Sequence, residues 1–180
     1  MDTYEKNGSL PEETAIYEGD GVAIYADERN ASVVGGESLE AIVGAHLGRI
    51  GRGDYFAINA YVEMNDDHDA PLQALRHTVR DGCKVATTLG YGPRFLHSTG
   101  QLHKGGPNRG VFLQITADDA EDLDIPGQQY TFGVLKNAQA QGDLEVLAGR
   151  ERRALRIHLG ADVRAGLEHL AAVIRRCLPS

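Results

Sequence analysis

From Gly82 to Ala117 the chain contains no aspartate and no glutamate, although its 180 residues carry 26 acidic against 18 basic side chains and a formal charge of -8. That absence excludes an evenly acidic surface and leaves Lys84, Arg94, His97, His103, Lys104 and Arg109 as a positive stretch, able to concentrate an anion. A solvated helix with ordinary surface charges is the plainer reading of the same residues. Other absences narrow the class. There is no apolar run of about 18 residues, which argues against a membrane span. No basic-then-apolar leader opens the chain, so the cytoplasm is the expected compartment. The two cysteines, Cys83 and Cys177, lack metal-site spacing and read as reduced packing residues. No His, Cys and carboxylate spacing suggests a metal, and no Ser-His-Asp arrangement can be argued. The net negative charge counts against nucleic acid, which needs many clustered Lys and Arg.

What is present is a globular composition, 42% hydrophobic and 24% charged, in a length that can own one core. Residues 1–18 are polar and without period, and are expected to form a loose arm or a strap; residues 19–180 are expected to form one domain. Gly21 to Asp27 reads as a strand ended by a turn at Asp27-Glu-Arg-Asn30. Leu39, Ile42, Val43, His46, Leu47 and Ile50 recur at helical spacing behind Ser38, an N-cap whose neighbouring N–H groups could alternatively hold a phosphate. Asp54–Val62 is nearly continuously apolar, as a strand covered on both faces would be, and ends in the acidic loop Glu63–Asp69. A helix over 71–80, strands over 84–89, 111–116 and 154–159, and helices over 132–147 and 163–178 follow. Strand and helix alternate about five times, with no internal repeat. That alternation predicts an α/β fold with three αβα layers around a mainly parallel five-stranded sheet.

Ligands of such sheets sit beyond the carboxyl ends of the strands, which makes Glu63 a candidate base; a solvated loop explains the same cluster. Pro93 starts a helix on which Arg94, His97, Gln101 and Lys104 share one stripe, while Phe95, Leu96, Thr99 and Leu102 are placed for the core. On a straight helix His103 points away from that stripe. Either the glycines at 100, 105 and 106 swing it round, or it works in another pocket, including one of a neighbouring subunit.

The run Thr88-Leu-Gly-Tyr-Gly-Pro-Arg-Phe-Leu-His-Ser-Thr-Gly-Gln-Leu-His-Lys-Gly-Gly-Pro107 resembles the carboxy-terminal part of the phosphoglucose isomerase domain of bifunctional transaldolase/glucose-6-phosphate isomerases. Val111–Thr116, Tyr130–Lys136, Ala138–Asp143 and Gly53–Tyr61 extend the likeness. The resemblance implies a sugar-isomerase-like fold and aldose–ketose isomerisation through an enediol, on a phosphorylated sugar or related metabolite, without a cofactor and as a homodimer. It implies that His103 opens the sugar ring and that Lys136 assists. Arg94, His97, Ser98, Gln101, Lys104 and Gly105 become the expected substrate-binding residues around a small anionic sugar. The family domain also has an upstream sugar-phosphate-binding half that this sequence does not contain. The alternative expectation is therefore a non-catalytic sugar-phosphate-binding or assembly module that completes a site on a partner chain.

Overall fold

Asp20 and Gly21 both take positive φ, 54° and 75°, and this two-residue turn joins β1 (Tyr17–Gly19) to β2 (Val22–Tyr25) as a tight hairpin. The hairpin opens a computed structural model that describes residue 4 and residues 7–178. α1 (Glu28–Val34) and α2 (Leu39–Leu47) follow, and Ser38 Oγ accepts from the Ala41 N–H at 3.2 Å, so that cap is occupied by the chain itself. β3 (Tyr55–Tyr61) leads to α3 (Asp66–Cys83), capped by Asn65 Oδ1 accepting from the His68 N–H at 2.9 Å. β4 (Ala86–Tyr91), a single 3₁₀ turn (Arg94–His97), α4 (Thr99–Gly105) and β5 (Gly110–Ala117) come next. α5 (Phe132–Gly149), β6 (Arg153–Leu159) and α6 (Val163–Cys177) complete the described elements.

The sheet has six strands in the order β1-β2-β6-β5-β3-β4. β3, β4, β5 and β6 run parallel, and β2 pairs antiparallel with β6. The α/β class and three layers are as expected. The sixth strand is the short β1, whose first two residues lie in the stretch expected to be a loose arm or a strap. Residues beside it are tied down as well: Gln141 Nε2 donates to the Pro11 carbonyl at 3.2 Å, and Arg156 Nη2 meets Glu13 Oε2 at 2.5 Å. From Pro11 to Gly19 the chain is a strap laid over the domain. The turn expected at Asp27–Asn30 is instead the cap and first turn of α1, because Asn30 is buried and donates to the Arg152 carbonyl. α3 starts five residues before Pro71, in the acidic segment, where Asp66, Asp67 and Asp69 favour a helix amino terminus.

Because alternate strand residues face opposite sides, the sheet has two unlike surfaces. Phe56, Ile58, Ala60, Val111, Leu113, Ile115, Leu155 and Ile157 pack against Leu72, Leu75, Val79, Leu167, Leu170 and Ile174, giving an apolar core layer under α3 and α6. The other side, under α4 and α5, holds Ala57, Phe112, Tyr61 and Phe95. Across its middle Asn59, Gln114 and Arg156 stand in one register row, all buried.

Candidate active site crevice

β3 and β5 are neighbours, but the chain leaves β3 toward β4 on one side and leaves β5 toward β6 on the other, so a crevice opens beyond the carboxyl ends of these two strands. A cavity of about 860 Å³ lies there, within the usual size range of small-molecule sites. Glu63 enters it from the end of β3, His68 from the first turn of α3, Asp118 and Asp119 from the end of β5, Lys136 from α5 and Arg164 from α6. A second, more apolar cavity of about 480 Å³ adjoins it through Asp119, Glu121 and Lys136, and is walled by Pro93, Leu123 and Phe132.

The charges in the crevice are mostly negative and its cations are already engaged. Lys136 Nζ lies 2.5 Å from Asp119 Oδ1, and Arg164 contacts Asp67 at 3.2 Å and Glu168 at 3.1 Å. His158 bridges Thr116 Oγ1 at 3.0 Å and Asp118 Oδ1 at 3.2 Å. His68 Nδ1 bonds the Glu63 carbonyl at 2.9 Å, which fixes that imidazole beside the exposed Glu63 side chain. The helix amino termini around the crevice are closed by their own residues. Asp162 Oδ1 accepts from the Ala165 N–H, and Asp122 Oδ1 from the Gly133 N–H at 2.7 Å; the Thr131 hydroxyl and that N–H hold the Asp122 carboxyl below its ordinary range.

Glu63 and Lys136 thus share one cavity, whereas the residues of the carboxylate-free stretch are not brought together. Arg94 is exposed, with Nη1 3.6 Å from Met64 Sδ; His97, Ser98 and Gly105 are exposed, and Gln101 Nε2 turns back to the Leu96 carbonyl at 2.9 Å. Lys104 Nζ points inward to Asp143 Oδ1 at 2.6 Å, where the carboxylate is 1% exposed. Burial pushes the Asp143 carboxyl up, against the pull of Lys104 and Gln114. His103 is 4% exposed between Tyr55, Phe95 and Phe112, with Nδ1 3.0 Å from the Tyr55 hydroxyl. Burial, helped by Lys104, lowers its pKa to about 4.

The straight helix expected from Arg94 to Lys104 does not form, and this is why the faces differ. Ser98 takes φ -134° and ψ -102°, separating the 3₁₀ turn from α4. His103 therefore takes the core position, while Leu102 is 58% exposed and Thr99 faces solvent. Asp118, Asp119, His68 and Arg164 were not expected in the site. The two aspartates follow β5 as Glu63 follows β3, so the rule that singled out Glu63 also marks them once the strand order is known.

A scan against known family models finds none that matches the chain, and no curated protein matches it in sequence. Among solved structures, the fold is similar to that of a hypothetical protein, TT0462, from Thermus thermophilus, with a TM-score of 0.68 and 17% identity over 83% of this chain. The chain spans 40% of the length of that protein, and at this identity the likeness establishes a shared fold.

Proposed function

We propose that the chain is a phosphoglucose-isomerase-like domain that transfers a proton between adjacent carbons of a phosphorylated sugar or related metabolite, in the cytoplasm and without a cofactor. The observation that carries this reading is that Glu63 and Lys136 line one cavity at the reversal of strand order. In this reading the Glu63 carboxylate takes the proton from C2 and returns it to C1, while the hydroxyl proton passes from O2 to O1. The Lys136 ammonium, exchanging Asp119 for substrate, stabilises the negative oxygen that develops in the enediolate. His68, held at Nδ1 by the Glu63 backbone, is the imidazole placed to open the ring, in place of the buried His103. The surplus of carboxylates in the crevice opposes a phosphate group beside Glu63. The phosphate is therefore assigned to contacts from a second chain, a dimer mate or a partner supplying the missing half.

The burial of His103 favours a second reading, a sugar-phosphate-binding or assembly module that completes a partner's site. Proton exchange at C2 of glucose or fructose 6-phosphate in deuterated water separates the two. The enzyme reading expects exchange that falls about 10²-fold or more in Glu63→Gln and persists in any folded His103→Phe variant. Binding without exchange supports the module, and a chain that neither binds nor exchanges overturns both.

A further inference from the structure

The amino ends of the parallel strands carry arginines that the crevice does not use. Arg49 closes α2, Arg109 precedes β5, Arg152 and Arg153 open β6, and Arg29 reaches the same place from α1. Elsewhere, Lys104 rests on Asp143, Lys136 on Asp119 and Arg156 on Glu13, while Arg76 alone of the other part-buried cations described rests on neutral groups, Gln73 Oε1 at 2.9 Å among them. Here they rest mostly on neutral oxygens. Arg29 donates to the carbonyls of Glu151 and Arg152, both at 2.9 Å, and Arg49 donates to Asn30 Oδ1 at 2.7 Å. On the opposite face of the sheet from Arg153, Arg152 is 7% exposed and donates to the carbonyls of Lys104 at 2.7 Å and Gly106 at 2.6 Å, with its Nε buried without a partner among the described residues, so it backs the cluster rather than facing a ligand.

A carbonyl satisfies an N–H but leaves the positive charge standing. The close carboxylate here is Asp54, 2.6 Å from Arg153; Asp27 stands off at 3.8 Å from Arg29. The repulsion registers on Arg49, whose pKa is lowered first by burial and then by Arg153 and Arg29. Two further arginines extend the cluster outward. Arg52 and Arg109 are exposed on either side of the turn before β3, and Arg109 Nη1 lies 3.5 Å from where a β-carbon would stand at Gly53.

We propose that this end of the sheet is an anion site for a small polyphosphate, the chemistry shared by inorganic pyrophosphate and the phosphate chain of a nucleotide, separate from the crevice. Guanidinium forks match phosphate oxygens two at a time, and several phosphate charges in one ligand offset several arginines at once. The substrate's own phosphate does not reach this end. Strands of seven and eight residues rise roughly 3.3 Å per residue and hold the two ends roughly 20–25 Å apart, beyond the span of a hexose phosphate.

The test is calorimetric titration of the full chain with pyrophosphate, alongside an Arg52→Gln/Arg109→Gln variant. Both side chains are exposed and make no hydrogen bond among the described residues, so the fold is retained. The expected result is one site per chain, weakened by salt and by about tenfold for each guanidinium removed. An Arg80→Gln/Arg175→Gln variant loses the same charge from other surfaces and is expected to bind as the parent does. A nucleoside triphosphate that binds more tightly than inorganic triphosphate identifies the source as a nucleotide; equal binding identifies the phosphate chain alone. Absence of binding at millimolar pyrophosphate, or equal weakening in both variants, overturns the proposal. C2 proton exchange is read in parallel and is expected to be unchanged in Arg52→Gln/Arg109→Gln, so absence of exchange in a parent chain that binds pyrophosphate counts against the crevice reading alone.

Discussion

His46 and His103 both pack on Phe112, one through a bond from Nε2 to its carbonyl oxygen at 3.0 Å, the other ring to ring at 5.0 Å. His46 donates through Nε2, and its Nδ1 is buried without a partner, so a second proton there would find no acceptor. Burial lowers the pKa values to about 3 for His46 and about 4 for His103. Both shifts are downward from an unfolded value near 6.5, so the unfolded chain takes up protons that the folded chain refuses. The stability they supply is full above about pH 6.5 and is lost as pH falls toward 4. Urea midpoints are expected to drop between pH 7 and pH 5, with a shallower drop in His103→Phe. A midpoint independent of pH over that range would contradict the assignment. His103 also shows how far single residues were legible: its chemistry could be read from its type, but its burial depended on a backbone break that residue type does not reveal.

At the scale of elements, the helices with strong signals are where the sequence places them. Ser38 and Asp162 cap α2 and α6, and Leu167, Leu170, Ala171 and Ile174 face the core as their spacing requires. The failure at Arg94–Gly105 has a local cause. Gly100 sits so close to the preceding 3₁₀ turn that a β-carbon there would stand 2.9 Å from the Phe95 carbonyl oxygen. Glycine therefore lets α4 fold back onto Phe95 and carry His103 inward. Gly100→Ala is expected to cost about 1–3 kcal/mol by chemical denaturation, since the obstructing atom is backbone and a shift must propagate into Tyr55 and Phe112. Stability equal to the parent would mean that the junction is loose. The strap is a milder case: a polar stretch without period gives no sign that Glu13 will meet the buried Arg156 guanidinium, because that partner lies 143 positions away.

On the scale of the whole molecule, charge is sorted along the strands. Acids follow the carboxyl ends of three strands, at Glu63, Asp66 and Asp67 after β3, Asp118 and Asp119 after β5 and Asp162 after β6, and arginines precede the amino ends of the same three; β4 is the exception, with Arg94 after it. Like charges gather at both ends, so screening relieves repulsion at each. Raising sodium chloride from a few millimolar to about 0.5 M, where the screening length is only a few ångströms, is expected to raise Tm by a few degrees. A Tm that falls with salt would mean that the ion pairs outweigh the repulsion. The sequence by itself determined the class of fold, the parallel strands, the limits of α2, α5 and α6 and the place of Glu63 just after β3, because these follow from hydrophobic period, caps and chain order within a few residues. Only the tertiary structure decided which charges meet. The carboxylate-free stretch looks like one positive field on paper, but its residues lie at both ends of β4 and β5, and Lys104 is neutralised by Asp143 from another helix. Electrostatic contacts are set by distance in space, and the sheet order that fixes those distances comes from packing across the whole chain.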